Sequence, residues 1–166
     1  MSTKKDDILN ENKALSLGQG LGWDNVYFIG IGGIGMSALA RYFNANKKQV
    51  AGYDKTPTDI TNDLTDLGIQ IHFEDAVENI ERSFLNPNTT LVVYTPAIPK
   101  IHSQLHYFIN NGFHVLKRSQ ILGLITENTF CLAVAGTHGK TNPTSIICHL
   151  ITECNVPLTA FLGGFN

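Results

Sequence analysis

The stretch that decides the fold is "GIGGIGMSALA", Gly30 to Ala40. Immediately before it, "VYFI", Val26 to Ile29, is a short apolar run of the kind that forms a buried strand. Immediately after it, "MSALARYFNAN" places apolar residues at helical spacing, and "QVAGYD", Gln49 to Asp54, supplies a second short strand. Strand, glycine turn, helix and strand make a βαβ unit. Gly30, Gly32 and Gly35 stand in G-x-G-x-x-G register at the strand-to-helix junction, the one context in which that pattern carries chemistry. Gly30 permits the tight turn, Gly32 lets backbone approach a diphosphate, and Gly35 allows close helix packing. The helix N-terminus beyond them adds unpaired N–H groups and the positive end of a dipole. Asp54 closes the second strand where a dinucleotide-binding unit places the acid that grips a ribose.

Outward from this unit the alternation continues. "TNDLTDLG" is expected as helix, "IQIHF" as strand, "TLVVYT" as strand, "SQLHYFINNG" as helix, "HVLK" as strand and "SQILGLIT" as helix. Such alternation implies an α/β fold, a Rossmann-like doubly wound and mainly parallel sheet with helices on both faces, and ligands at the carboxyl ends of the strands. Residues 1–22 are polar and glycine-punctuated, and read as a flexible tail whose Ile8, Leu9 and Leu15 give at most a frayed helix.

A second phosphate loop follows. "FCLAVAGTHGKT", Phe130 to Thr141, reads as an apolar strand running into Gly136-Thr137-His138-Gly139-Lys140-Thr141, and "SIICHLITE" continues with helical periodicity. Val134 stands where the standard phosphate-loop pattern has its first glycine, but the G-K-T end keeps the parts of an ATP site. Lys140 would reach the β and γ phosphates, the Thr141 hydroxyl would hold Mg²⁺, and the backbone N–H groups would form an anion nest. A nicotinamide enzyme has no use for this loop.

Bulk properties narrow the function classes. The chain has 166 residues, 43% apolar and 16% charged, with twelve Lys and Arg against fourteen Asp and Glu. That balance lacks the basic face that nucleic acid demands. No run approaches the ~18 apolar residues of a membrane span, and no signal-peptide core is present, so a cytoplasmic protein is expected. Cys131, Cys148 and Cys154 are odd in number and lack C-x-x-C spacing, which fits neither a disulfide framework nor a zinc knuckle. Cys131, in mid-strand, is expected to be buried. His102 and His106 lie four apart on an expected helix and lack a third metal ligand, so they read as an exposed helical face. Tyr42 and Phe43 continue the apolar stripe of their helix and read as core.

Together, "FIGIGGIGMSALA" and "AGTHGKT" resemble the Mur ligases of peptidoglycan synthesis, and the resemblance runs from about Trp23 onward. It implies a UDP-sugar-binding domain over residues 23–126, the start of an ATP-binding central domain over 127–166, and a third, amino-acid-binding domain beyond the 166 residues. The first loop would then hold the diphosphate of a UDP-sugar and the second the phosphates of ATP. Gly30, Gly32, Gly33, Ile34 and Gly35 would surround the diphosphate, with Asp54 and Thr56 near the uridine. Thr95, Pro96 and Ala97 of "YTPAIP" resemble the strand-end loop that faces the sugar-diphosphate. Gly136, Thr137, His138, Gly139, Lys140 and Thr141 would bind ATP, His138 shaping the loop, and Lys140 and Thr141 would serve the chemistry, Thr141 through Mg. The implied reaction activates the lactate carboxylate of UDP-N-acetylmuramate as an acyl phosphate, which the amine of L-alanine attacks. A muropeptide-recycling ligase shares much of this pattern. A nicotinamide-dependent oxidoreductase domain and a regulatory nucleotide-binding module also remain open. A portion of this length is expected to bind ligand without turning it over.

Two departures from the family pattern stand out. Glu74 and Asp75 follow the third strand where the family usually has a Gly-His pair facing the nucleotide; acids beside a diphosphate repel it, so this loop is expected to point away or to bind differently. In "KTNPTS" the family has a run of threonines. Pro143 biases Asn142 toward extended backbone, so a distorted segment over 137–143 and weak ATP binding are expected.

Overall fold

The computed structural model describes residues 22–99, 101–127 and 129–162, so the tail expected at 1–22 falls almost entirely outside the described residues. Five strands form one all-parallel sheet in the order β3-β2-β1-β4-β5. They are β1 (Asn25–Ile29), β2 (Gln49–Tyr53), β3 (Gln70–His72), β4 (Thr90–Tyr94) and β5 (His114–Lys117). The order reverses between β1 and β4, because the chain first builds outward from β1 and then returns to its other side. A crevice opens at that point along the carboxyl ends.

The central strands are apolar on both sides because helices cover both. Val26 and Phe28 of β1, with Leu91 and Val93 of β4, face a core closed by α1 (Ile34–Ala45), α2 (Asp59–Asp66) and α4 (Arg118–Glu127). Tyr27, Ile29 and Val92 point the other way, to α3 (Ser103–Asn110) and the short turns around Ile80 and Phe84. On α1, Met36, Leu39, Ala40 and Phe43 lie at three- and four-residue spacing and all meet the sheet, so the expectation of Phe43 as core holds. Tyr42 is half-buried at the edge of the same cluster.

Local chemistry sets the helix starts. Thr58 begins α2 with a reciprocal cap: its hydroxyl accepts from the Thr61 N–H at 3.3 Å, and its own N–H donates to the Thr61 hydroxyl at 2.8 Å. In contrast, α1 starts on Gly33 with no side-chain cap and no acid in its first turn; the Met36 N–H donates to the Gly33 carbonyl at 2.9 Å, which leaves the N–H groups of Ile34 and Gly35 for something else. Among the described residues no helix is long and apolar enough to cross a membrane.

Beyond Glu127 the expectations fail in part. Phe130 to Gly136 runs as irregular chain, not as a strand, since no described strand pairs with it. Phe130 is therefore 92% exposed, and Cys131 is exposed where burial was expected. The helix does form, as α5 (Thr141–Glu153), and it includes Asn142 and Pro143. The expected extension of Asn142 is thus overturned. Pro143 is the third helical residue, where an N–H has no intrahelical acceptor to lose, and the first bond of the helix is Thr144 N–H to the Lys140 carbonyl at 3.2 Å.

Candidate functional site

A cavity of about 700 Å³ occupies the crevice at the carboxyl ends of β1, β2 and β4. Its size suits a nucleotide or a nucleotide sugar. Gly30, Gly32 and Gly33 form one wall, Asp54 another, and Thr95 and Ala97 a third, so six of the expected binding residues meet there. Ile34, Gly35, Thr56 and Pro96 lie beside the cavity and do not line it.

Each glycine of the G-x-G-x-x-G pattern has a measurable reason. Gly30 has φ +86°, and a Cβ on it would sit 2.7 Å from the Thr95 methyl, so the turn and the β4 loop close on each other only without a side chain. At Gly32 a Cβ would come within 2.9 Å of Asp54 Oδ2 and of the Thr61 methyl. The close approach here serves Asp54, whose Oδ2 accepts the Gly32 N–H at 2.7 Å. Among the described residues its Oδ1 accepts only the Thr56 N–H, at 3.3 Å, and keeps capacity for a ligand hydroxyl. At Gly35 a Cβ would run into the guanidinium of Arg118, lying 3.0 Å from its Cζ and 3.1 Å from its Cδ. Gly35 thus makes room for an arginine from the start of α4, a contact that sequence spacing gave no means to foresee.

Of the two arrangements expected for the loop after β3, pointing away does not hold for Asp75. Asp75 turns inward and lines the cavity. It does so without an unbalanced charge, because its Oδ2 accepts the Ser103 N–H at 2.8 Å and its Oδ1 the Gln104 N–H at 3.1 Å, which caps α3 from a separate segment. His102 Nδ1 lies 3.1 Å from the same Oδ1. Burial alone would raise the Asp75 carboxyl, but these donors outweigh it and hold the group below its ordinary 3.8. His102 is likewise not on an exposed face. It precedes α3, is 4% exposed, and rests edge-on against Tyr53 with ring centroids 4.7 Å apart. Burial pushes its imidazole below the usual histidine value, against the pull of Asp75. Among the described residues no group of three or more His, Cys, Asp or Glu is placed to hold a metal.

A polar cluster beneath the cavity ties β1 to α3. The Tyr27 hydroxyl donates to Gln104 Oε1 at 3.0 Å and lies 2.6 Å from His72 Nε2, while Gln104 Nε2 donates to the Ala76 carbonyl at 2.8 Å. Burial, reinforced by Asp75, pushes the Tyr27 phenol well above its usual value, so it stays a hydroxyl.

The second loop stands apart from this cavity. Gly136 to Lys140 are exposed, Gly139 has φ +72°, and Lys140 curls back so that its Nζ donates to the carbonyls of Gly136 at 2.6 Å and Thr137 at 3.2 Å. Gly139, Lys140 and the start of α5 retain the form of an anion nest. The lysine must let go of its own loop before it can meet a phosphate.

Residues 25–129 match the model of the Mur ligase family, catalytic domain. The chain belongs to the Mur ligase family. It is 57% identical over 140 residues to the UDP-N-acetylmuramate--L-alanine ligase of Flavobacterium psychrophilum, an alignment covering 84% of this chain and 31% of that protein. The crystal structure of the Thermotoga maritima UDP-N-acetylmuramate-alanine ligase superposes with a TM-score of 0.75 at 30% identity, covering 86% of this chain and 32% of that one. A Neisseria meningitides UDP-N-acetylmuramate:L-alanyl-gamma-D-glutamyl-meso-diaminopimelate ligase shares the fold at 23% identity and a TM-score of 0.70, covering 80% of this chain and 40% of that one. The chain therefore spans about a third of the length of the ligases it matches. Tyr53, Lys55, Asp75, Ile98 and His102 line the cavity without having been foreseen there. Of these, Tyr53, Lys55 and Ile98 flank residues that the sequence had singled out for binding, while Asp75 and His102 had been singled out for other roles.

Proposed function

We propose that this chain is the UDP-N-acetylmuramate-binding portion of a UDP-N-acetylmuramate:L-alanine ligase, an ATP-dependent amide ligase of peptidoglycan precursor synthesis working in the cytoplasm. The observation that carries the proposal is the meeting of Gly30, Gly32 and Gly33 with Asp54 in one nucleotide-sized cavity at the switch point of the sheet. Within it, the N–H groups at the start of α1 receive the diphosphate, the free lone pairs of Asp54 Oδ1 receive a ribose hydroxyl, and Thr95 and Ala97 face the sugar side. Residues 23–126 form the sugar-nucleotide domain and 127–166 begin the ATP domain. There Gly136, Thr137, His138, Gly139, Lys140 and Thr141 would take the phosphates of ATP, with the Thr141 hydroxyl serving Mg²⁺. ATP would supply the activating phosphoryl group, and L-alanine would be the amine acceptor.

The identity to alanine-adding ligases supports this assignment over a muropeptide-recycling ligase. A nicotinamide oxidoreductase draws no support from the relatives. Calorimetric titration with UDP, UDP-N-acetylmuramate, NAD and NADP tests the proposal: heat is expected from the two uridine ligands, and tight NAD binding without a response to UDP would overturn it.

A further inference from the structure

His102 lines the cavity, is almost wholly buried, and has in Nε2 a nitrogen without a hydrogen-bond partner among the described residues. Native structures keep few such atoms, and each calls for a missing partner. The other one among the described residues, Thr90 Oγ1, belongs to the start of β4 and does not line the cavity.

The far side of the ring decides what Nε2 needs. Nδ1 lies 3.1 Å from Asp75 Oδ1, and an ionised carboxylate only accepts, so the ring hydrogen sits on Nδ1. The Leu105 N–H competes for the same nitrogen, but at 3.4 Å and without charge it is the weaker claimant. Burial favours the neutral ring and nearby His72 supports it, while Asp75 opposes. A neutral imidazole protonated on Nδ1 presents Nε2 as a bare acceptor.

The sheet order then locates the ligand group that meets it. The glycine loop follows β1, Asp54 follows β2, and Asp75 follows β3, so the sequence phosphate, ribose, base runs across the sheet from β1 toward β3. The base arrives at Tyr53, Asp75 and His102. We propose that His102, oriented by Asp75, accepts a hydrogen bond from a pyrimidine ring N–H and so selects uridine over cytidine nucleotides. This rests on the UDP-sugar assignment above. Uracil carries a hydrogen on N3, whereas cytosine presents a lone pair there, which would face the lone pair of Nε2. Nε2 itself is buried, so the contact requires the ring or its surroundings to shift as the base enters. A base without the N–H leaves the nitrogen unpaired, and that penalty is the source of selectivity.

Calorimetry with UDP and CDP on the 166-residue chain is the test. UDP is expected to bind at least about tenfold more tightly than CDP. His102→Asn keeps a side chain that caps helices well but shortens its reach, and the UDP to CDP ratio should fall to within about threefold of unity. Imidazole ¹⁵N shifts of the wild type, which need no variant, should report the Nδ1–H tautomer. Equal affinities for UDP and CDP, an unchanged ratio in a folded His102→Asn protein, or the Nε2–H tautomer would each overturn the inference. Failure of the wild type to bind UDP at all would instead overturn the assignment beneath it.

Discussion

Gly32→Val puts the glycine loop to its most direct test. The first carbon of the new side chain would lie 2.9 Å from Asp54 Oδ2, 3.2 Å from Asp54 Cγ and 2.9 Å from the Thr61 methyl, so something must move. Asp54 is the half-buried partner and moves first, breaking the 2.7 Å bond from the Gly32 N–H. A hydrogen bond to a charged group contributes about 1.5–3 kcal/mol, and partial exposure sets this one at the low end, about 1.5 kcal/mol. Thr61 is wholly buried and tied to Thr58 in the α2 cap, so pressure on it adds an overpacking cost of about 1 kcal/mol. A total near 2.5 kcal/mol lowers Tm by on the order of 10 °C for a domain of this size. On the proposed assignment binding would suffer separately, because the valine would fill the space of the diphosphate and turn away the acid proposed for the ribose. UDP affinity should fall by about a hundredfold or more, equivalent to about 2.7 kcal/mol. Thermal unfolding by circular dichroism reads the first effect, and calorimetry below the lowered melting point reads the second. A variant that melts with the wild type and binds UDP within about threefold of it would refute the reasoning.

Asp75→Ala removes the acceptor of two N–H groups at the start of α3 and should cost about 1 kcal/mol at neutral pH, read in chemical denaturation. The native carboxyl lies below its ordinary 3.8, so its contribution is full above that value and drains away as pH falls through the lowered one; the gap between variant and wild type should close in acid. Gly52→Ala would set a carbon 2.5 Å from the Phe28 carbonyl oxygen in the middle of the sheet, which cannot yield, and a loss of about 1–3 kcal/mol is expected. Gly35→Ala meets only the flexible end of Arg118 and should melt within a few degrees of wild type, about 0.5 kcal/mol at most. Replacing Asn142 and Pro143 by threonine should leave the far-ultraviolet helical signal unchanged, since α5 already contains both residues; a rise would show that the proline strains the turn.

The sheet was legible in the sequence because each buried strand is an apolar run bounded by glycine or a polar turn, and each helix carries a stripe at its own period. "VYFI", "TLVVYT" and the α1 stripe needed nothing from afar. The placement of the glycine loop and Asp54 was legible for the same reason: it is fixed by position in one βαβ unit, short enough for spacing to define geometry. Residues 130–136 have the composition of a strand yet form none, since a parallel strand exists only when a neighbour supplies its ladder. His102 and Asp75 show the other limit. Sequence spacing set His102 beside His106 on a helix, but the fold carried Asp75, from the far side of β3, onto the N–H groups of α3 and against the His102 ring. Which nitrogen of that ring carries the hydrogen depends on a contact between segments 27 residues apart, and hydrogen bonds and burial of that kind come into being only when the chain has closed.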